Sequence, residues 1–188
     1  MTMASRGRGR GGQGRPIMRR VYLAGFDVFR ADALAHGERL KALCREYGFE
    51  GCYPLDNQAP GNLAGRALAE WILRQNLALI DRADLVMANL NPFRGHEPDS
   101  GTAFEVGYAV ALGKPVWAYT AQAASLVEQL GARRAPHDPS RHVDAQGYTV
   151  EDFGLNLNLM LACTARVVAG DAVQCLAAMA AQARASTS

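Results

Sequence analysis

Short apolar runs alternate with longer segments of helical periodicity along most of this chain. The runs are rich in Val, Leu, Ala and aromatic residues and have the length of buried strands. The predicted strands are Arg20–Gly25, Glu50–Leu55, Ala83–Asn89 and Lys114–Tyr119. The predicted helices between them are Asp32–Tyr47, Ala64–Arg82 and a helix that contains Glu105 and ends at Gly113. This alternation predicts a parallel sheet with helices on both faces and right-handed crossovers.

Apolar positions that repeat at helical spacing are the candidates for the helix side of the core. They are Leu34, Leu40 and Leu43 in the first helix and Trp71, Ile72, Leu77 and Ile80 in the second.

The pattern weakens after Thr120. A helical stretch reaches about Gly131, and the polar segment Ala132–Asp152 is predicted to be a long loop, either functional or mobile. An apolar helix is predicted to begin in Leu155–Leu161, and an Ala-rich helix covers Asp171–Arg184. No repeat and no second domain is indicated, so residues 20–188 are predicted to form one domain.

Positive charge is concentrated at the start of the chain. The net charge is only +2, yet the first twenty residues contain six arginines and no acid. Because residues 1–19 offer almost nothing apolar to bury, they are predicted to form a disordered Gly/Arg-rich leader. Such a tail can attract phosphate weakly, but a solvated tail is the better interpretation and no nucleic-acid partner is expected.

The rest of the composition is that of a soluble globular protein, with 49% hydrophobic and 20% charged residues. No apolar run is long enough to span a membrane, and the N-terminus lacks the apolar segment of a signal peptide. We therefore expect no membrane partner and a cytoplasmic location. The four cysteines form no CxxC pair and have no histidine at metal-ligand spacing, which indicates neither a metal site nor a redox motif.

Two carboxylates, Asp99 and Glu105, mark the loop and helix that follow the third predicted strand. Ligands of open α/β sheets bind at the carboxyl ends of strands, where this loop is expected to lie. Glu105 is predicted to lie near the first turn of its helix, where the helix dipole favours an ionised carboxylate. Such a pair suits glycosyl transfer, in which one carboxylate attacks the anomeric carbon and a second group handles the proton of the leaving group. The alternative is that Asp99 caps the helix and Glu105 is a solvated acid.

Five motifs in order resemble the nucleoside 2-deoxyribosyltransferase family. They are YLAG with DVF at 22–29, PLDN at 54–57, ADLVMANLNPFRG at 83–95, DSGTAFEVGYA at 99–109 and EDFGLNLNLM at 151–160. The resemblance implies a flavodoxin-like or Rossmann-like three-layer α/β/α domain with a parallel sheet of about five strands. It also implies exchange of 2-deoxyribose between nucleobases in nucleotide salvage, through a covalent intermediate and without cofactor or metal. The implied partners are deoxynucleosides, free nucleobases and further copies of the chain that share active sites.

The resemblance also implies roles for individual residues. Glu105 takes the place of the nucleophile, and Tyr22 takes that of the tyrosine that orients it. Asp99 matches the acid that exchanges a proton with the base, so it must be protonated when the base leaves. Asn158 matches an asparagine that reaches the sugar in a neighbouring subunit.

Further candidate substrate-binding residues surround this set. They are Asp27, Asp56, Phe93, Arg94 and Asn76. Asn76 lies where some family members have an aspartate near the base, which leaves the base preference open. The first loop also departs from the family pattern, because Phe26 follows Gly25 where many relatives have proline.

Two other interpretations stay open at this point. A hydrolase of the same fold would use water in place of the second base, and Ser100, Thr102 and Arg94 could then contact a 5′-phosphate. A non-catalytic nucleoside or nucleotide sensor could retain the pocket without turnover.

Overall fold

The computed structural model describes residues 18–186. The predicted leader therefore lies outside the described residues, except at its end, where Arg19 already belongs to the first strand. The strands are β1 Arg19–Ala24, β2 Phe49–Cys52, β3 Leu85–Asn89, β4 Val116–Thr120, β5 Arg133–Ala135, β6 Asp138–Val143, β7 Thr149–Val150 and β8 Arg166–Ala169. The helices are α1 Ala33–Glu46, α2 Gly65–Arg82, α3 Ser100–Ala111, α4 Leu126–Gln129, α5 Leu159–Ala162 and α6 Ala172–Ala185. Short 3-10 turns cover Phe26–Phe29 and Pro54–Asp56.

Five parallel strands form the central sheet in the order β2-β1-β3-β4-β8. The chain leaves β1 on one side to β2 and then crosses to β3 on the other, so the order reverses beside β1. A crevice opens at such a reversal, at the carboxyl ends of the strands, and ligands of doubly wound sheets bind there. The three-layer fold with about five parallel strands is confirmed.

Side chains along the central strands point alternately to the two faces of the sheet, and each face has its own hydrophobic core. In β1, Val21 and Leu23 face the core under α1 and α6, whereas Tyr22 and Ala24 face the core under α2 and α3. All four side chains are buried, and full burial of an aliphatic side chain contributes about 1.5–3 kcal/mol. The alternation therefore fixes which side of the sheet Tyr22 faces.

Several sequence predictions need correction. The polar segment after α4 is not a long loop, because β5, β6 and β7 form a small antiparallel sheet. The apolar helix at 155–161 is reduced to the single turn α5, and the fifth strand of the central sheet, β8, was not predicted. Two predicted core residues, Leu34 and Ile72, are 68% and 44% exposed. Between residues 18 and 186, the helices are all too short or too polar to cross a bilayer.

Candidate active site

A cavity of about 290 Å³ lies at the carboxyl edge of the central sheet, beside the crossover point. It is lined by Gly25, Val28, Phe29, Pro54, Leu55, Ile72, Asn76, Asp99, Gly101, Thr102 and Glu105. The loops after β1 and β2, helix α2 and the start of α3 all contribute to it. The two carboxylates singled out from the sequence therefore meet in one cavity.

Tyr22 and Glu105 are joined across 83 residues of chain. The hydroxyl of Tyr22 donates a hydrogen bond of 2.6 Å to Oε1 of Glu105. Tyr22 is fully buried on the face of β1 that packs under α3, which points its hydroxyl at the helix. Burial, followed by the neighbouring Glu105 charge, raises the pKa of Tyr22, so the phenol keeps its proton and acts as a donor.

Glu105 is held on one oxygen only. The amide Nδ2 of Asn76 on α2 donates a second, longer bond of 3.3 Å to the same Oε1. Within the described residues, Oε2 receives no hydrogen bond, and Glu105 lines the cavity. Oε2 is therefore the oxygen available to a ligand.

Burial raises the pKa of Glu105 from 4.5 to about 7, against the bonds from Tyr22 and Asn76, which lower it, while the charge of Asp99 raises it further. The expectation that the helix dipole keeps this carboxylate readily ionised is wrong. Helix α3 begins at Ser100, so Glu105 lies in the second turn, where the dipole is weak. A carboxylate that is half ionised near neutral pH and poorly hydrated is suited to act as a nucleophile.

Asp99 is the N-cap of α3. Its Oδ2 accepts bonds from the backbone N–H of Thr102 at 2.9 Å and from the Thr102 hydroxyl at 3.0 Å. The capping role foreseen as the alternative is thus real, yet Asp99 also lines the cavity. Asp99 can cap α3 and line the cavity at the same time, because the capping bonds use only one of its two carboxylate oxygens. Its protonation during turnover stays a prediction.

Asp27 does not line the cavity, contrary to expectation. Its carboxylate is buried, where it accepts a 2.8 Å bond from Nδ2 of Asn89 and lies 3.2 Å from Nε2 of His36. Asn89 in turn accepts a 2.7 Å bond from Nδ2 of Asn91, and Asn91 accepts a bond from the backbone N–H of Ala121. This network ties the loop after β1, which lines the cavity, to the loops after β3 and β4.

Asp56 is also turned away from the cavity. It accepts a 2.6 Å bond from Nζ of Lys41 and a 2.8 Å bond from the backbone N–H of Tyr53. These contacts cap the 3-10 turn Pro54–Asp56. Asp56 therefore positions Pro54 and Leu55, which do line the cavity.

Phe93 and Arg94 line a second recess of about 260 Å³ with Pro98, Asp99 and Ser100. Asp99 belongs to both recess and cavity. Phe93 stacks on Phe26 and Phe29, with ring centroids 4.9 and 5.3 Å apart. Phe26 thus joins the first loop to the loop after β3.

Asn158 lies elsewhere in its own chain. It is the N-cap of α5, where its Oδ1 accepts from the Met160 backbone at 3.0 Å and its Nδ2 donates to Glu151 at 2.9 Å. It lines an apolar groove of about 440 Å³ between α3 and α5, not the cavity that contains Glu105. Asn158 therefore lies outside the cavity that contains Glu105.

Several functional positions were missed or misassigned from the sequence. Phe29, Leu55 and Ile72 line the cavity, and Thr102 orients Asp99. Of these only Thr102 carried a signal, because a residue three positions after an Asp N-cap supplies the capped N–H. Within residues 18–186, no group of three or more His, Cys, Asp or Glu side chains is arranged to hold a metal ion.

The model of the family described as nucleoside 2-deoxyribosyltransferase matches residues 21–160. The chain belongs to this family. The matched range includes Tyr22, Asn76, Asp99, Glu105 and Asn158, so the candidate site falls within the family's own sequence pattern.

Two structures and one curated protein give further comparisons. A 2-deoxyribosyltransferase from Leishmania mexicana is 34% identical, with a TM-score of 0.70, over 87% of this chain and 97% of that one. A conserved protein from Enterococcus faecalis is 21% identical with a TM-score of 0.56, over 86% of this chain and 99% of that one, which supports the fold alone. An uncharacterised protein from Schizosaccharomyces pombe is 36% identical over 121 residues. That match spans 61% of this chain and about half of the relative, 56% of its length.

Proposed function

We propose that this protein transfers 2-deoxyribose between nucleobases through a covalent deoxyribosyl ester on Glu105. The observation that carries the proposal is the constellation around this carboxylate. Tyr22 and Asn76 hold Oε1, Oε2 is open to the cavity, and Asp99 lines the same cavity. Membership of the family and the likeness to the Leishmania mexicana enzyme support it.

In the first half-reaction, Oε2 of Glu105 attacks C1′ of a deoxynucleoside. The C1′–N bond breaks as the C1′–O bond forms, and the base leaves with its electron pair while protonated Asp99 supplies the proton. In the second half-reaction, another base attacks C1′, returns a proton to Asp99 and releases Glu105. Two inversions give net retention at C1′, as in retaining glycosidases.

We propose nucleosides as substrates in preference to nucleoside 5′-monophosphates. The residues that line the cavity include two carboxylates, Asp99 and Glu105, and no lysine or arginine. A phosphate dianion at this site would be repelled and would lack a charged donor. The carbonyl Oδ1 of Asn76 is buried without a hydrogen-bond partner in the described part of the chain and is a candidate acceptor for a substrate hydroxyl or amine.

A chromatographic assay with 2′-deoxyinosine, run with and without adenine or cytosine, tests the proposed function. A new deoxynucleoside that appears only with acceptor supports transfer. Equal release of hypoxanthine in both reactions, with no new nucleoside, would instead establish a hydrolase. Absence of turnover with a panel of nucleosides and 5′-monophosphates would indicate a non-catalytic sensor.

Glu105→Ala should abolish turnover while a cooperative thermal transition is kept. Full activity in this variant would defeat the assignment of the nucleophile. Glu46→Ala on the exposed end of α1 is the matched control and should keep wild-type activity. Trapping of the deoxyribosyl ester by rapid acid quench and mass spectrometry of the peptide that contains Glu105 tests the covalent step.

We further propose a homo-oligomer in which Asn158 acts in the site of a neighbouring subunit. The groove beside Asn158 is mainly apolar, and the nearby side chains of Phe104 and Met160 are 56% and 66% exposed, as expected of a surface that pairs with another copy. Co-expressed Glu105→Ala and Asn158→Ala subunits should regain activity that neither variant has alone. Inactivity of verified mixed oligomers would place all contacts within one chain.

A further inference from the structure

Arg94 has a backbone conformation that side chains rarely adopt. Its φ is 56°, the one positive value at a non-glycine position between residues 18 and 186. A hydrogen bond of 2.9 Å from the Phe93 N–H to the Glu97 carbonyl closes the loop around it. A non-glycine residue in this region costs on the order of 1 kcal/mol, and such strain concentrates at ligand-binding positions. The loop holds Arg94 at its tip despite that cost.

Two aromatic rings lie close to the Arg94 guanidinium. The guanidinium carbon lies 4.6 Å from the centroid of Phe93 and 5.2 Å from that of Phe29. These rings are nearly parallel, with 8° between their planes. A cation–π contact uses the charge of a guanidinium and does not require its N–H groups as hydrogen-bond donors. No side chain or carbonyl of residues 18–186 accepts a hydrogen bond from Arg94, so its N–H donors are available to a ligand.

The recess beside Arg94 shares Asp99 with the cavity in which the proposed reaction takes place. Asp99 lines both the cavity of Glu105 and the recess of Phe93, Arg94, Pro98 and Ser100. If C1′ lies against Glu105, the leaving base must lie against the acid that protonates it. The recess is therefore where an edge of the base projects, and Arg94 is the cation at that edge.

We propose that Arg94 is a specificity-determining residue that selects 6-oxopurines, the bases of hypoxanthine and guanine type, over adenine. A 6-oxopurine presents two adjacent acceptors, O6 and N7, on one edge, whereas adenine presents an amino donor beside N7. Arg94 donates to O6, while Asp99 donates its proton to N7 of the leaving base and, as the carboxylate, accepts one from N7–H of the incoming base. With adenine, the amino group would face the N–H groups of Arg94, donor against donor. This inference rests on the proposed transfer reaction and adds the class of base to it.

The same recess is poorly suited to a 5′-phosphate. Both the N–H and the hydroxyl of Thr102 already donate to Asp99. The Asp99 carboxylate lines the recess, and Arg94 is the single cation among its lining residues. A neutral carbonyl tolerates the neighbouring carboxylate, whereas a phosphate dianion is repelled by it.

Internal competition between two acceptor bases tests the proposal. Purified protein receives 2′-deoxyguanosine as donor and equimolar hypoxanthine and adenine, and the initial ratio of 2′-deoxyinosine to 2′-deoxyadenosine is measured by chromatography. Both acceptors draw on one glycosyl-enzyme pool, so effects on the donor cancel from the ratio. The variants are Arg94→Met, Arg94→Gly and Arg94→Lys, and the matched control is Arg45→Met on the exposed end of α1. Arg94→Gly suits the positive φ and guards against misfolding of the loop.

The wild type should favour 2′-deoxyinosine. Arg94→Met and Arg94→Gly should lower the ratio about tenfold or more, as loss of a charged hydrogen bond predicts, with Arg94→Lys between them and Arg45→Met unchanged. A wild-type preference for adenine, or a ratio within about twofold of wild type in both Arg94→Met and Arg94→Gly, overturns the inference while the transferase stands. Cleavage of 2′-deoxyinosine 5′-monophosphate that Arg94→Met abolishes, with an unmoved base ratio, overturns it in favour of phosphate recognition. Absence of any deoxynucleoside product from the wild type defeats the proposed function itself.

Discussion

Glu105→Gln should stabilise this protein, and the gain should depend on pH. The substitution keeps the shape of the side chain and an oxygen that accepts from Tyr22 and Asn76, but it removes the buried charge. The pKa of Glu105 is about 7 in the folded chain, chiefly because of burial, and 4.5 in the unfolded chain. Between these values the folded state binds more protons than the unfolded state, so the wild type loses stability as pH rises from about 4.5 to 7. Below that window Glu105 is neutral in both states and the cost vanishes.

The size of the effect follows from the two proton affinities. Each unit of difference between the folded and unfolded pKa corresponds to about 1.4 kcal/mol. Ionised Glu105 therefore costs the folded state about 3 kcal/mol above pH 7. The free energy of unfolding of Glu105→Gln should therefore exceed that of the wild type by about 3 kcal/mol more at pH 8 than at pH 4. In a chain of this size, that corresponds to about 6–12 °C in Tm.

Urea titrations and thermal melts at pH 4, 5, 6, 7 and 8 measure this difference directly. The control Glu46→Gln removes the same charge from the exposed surface of α1, where an exposed charge contributes little to stability. A stability difference between Glu105→Gln and wild type that stays constant from pH 4 to pH 8 would refute the argument that burial penalises this carboxylate.

Three further changes test other contacts. Tyr22→Phe removes a hydrogen bond that lowers the pKa of Glu105, the candidate nucleophile. The acidic limb of the pH profile of kcat/KM should therefore move to higher pH by about one to two units. An unmoved limb would contradict the orienting role of Tyr22. Gly37→Ala would place a Cβ 2.4 Å from Cδ1 of Tyr53, so a loss of about 1–3 kcal/mol in the free energy of unfolding is expected, and an unchanged urea midpoint would argue against this close approach. Asn89→Ala removes a donor to buried Asp27 and should lower that free energy by about 1–3 kcal/mol, whereas a loss confined to activity, at constant Tm, would assign Asp27 to substrate and not to the loops.

The central sheet was largely predictable because its strands are apolar on both faces. The last four residues of β1 and all five of β3 are buried against one helical layer or the other, which leaves a continuous apolar run in the sequence. Strands β5 and β6 are mostly exposed, so arginine and histidine replace the apolar signal there. Exposure also explains why Leu34 looked like core, since helical spacing identifies a face but not what covers it.

The pairing of Tyr22 with Glu105 followed from family motifs, but the electrostatics did not. The raised pKa of Glu105 depends on burial beneath residues from α2 and β1, which lie far away in sequence. The orientation of Asp27 was equally hidden, because nothing local distinguishes an aspartate that meets a substrate from one that meets Asn89. The sequence identified the candidate residues. The direction in which each side chain points depends on contacts between segments that are distant in the sequence.

The two oxygens of Glu105 are unequal, because both donors converge on Oε1. In the proposed cycle, Oε2 forms the bond to the sugar, while Oε1 takes up and releases the electron density of the carboxyl group. Once Oε2 carries the sugar, Oε1 becomes the carbonyl oxygen of the ester, and the Tyr22 hydroxyl that steadied the anion now polarises the acyl group. The incoming base thereby meets an activated leaving group, so a single fixed phenol assists formation and breakdown of the intermediate without moving. An exchange reaction that must run equally well in both directions needs this symmetry between its two halves.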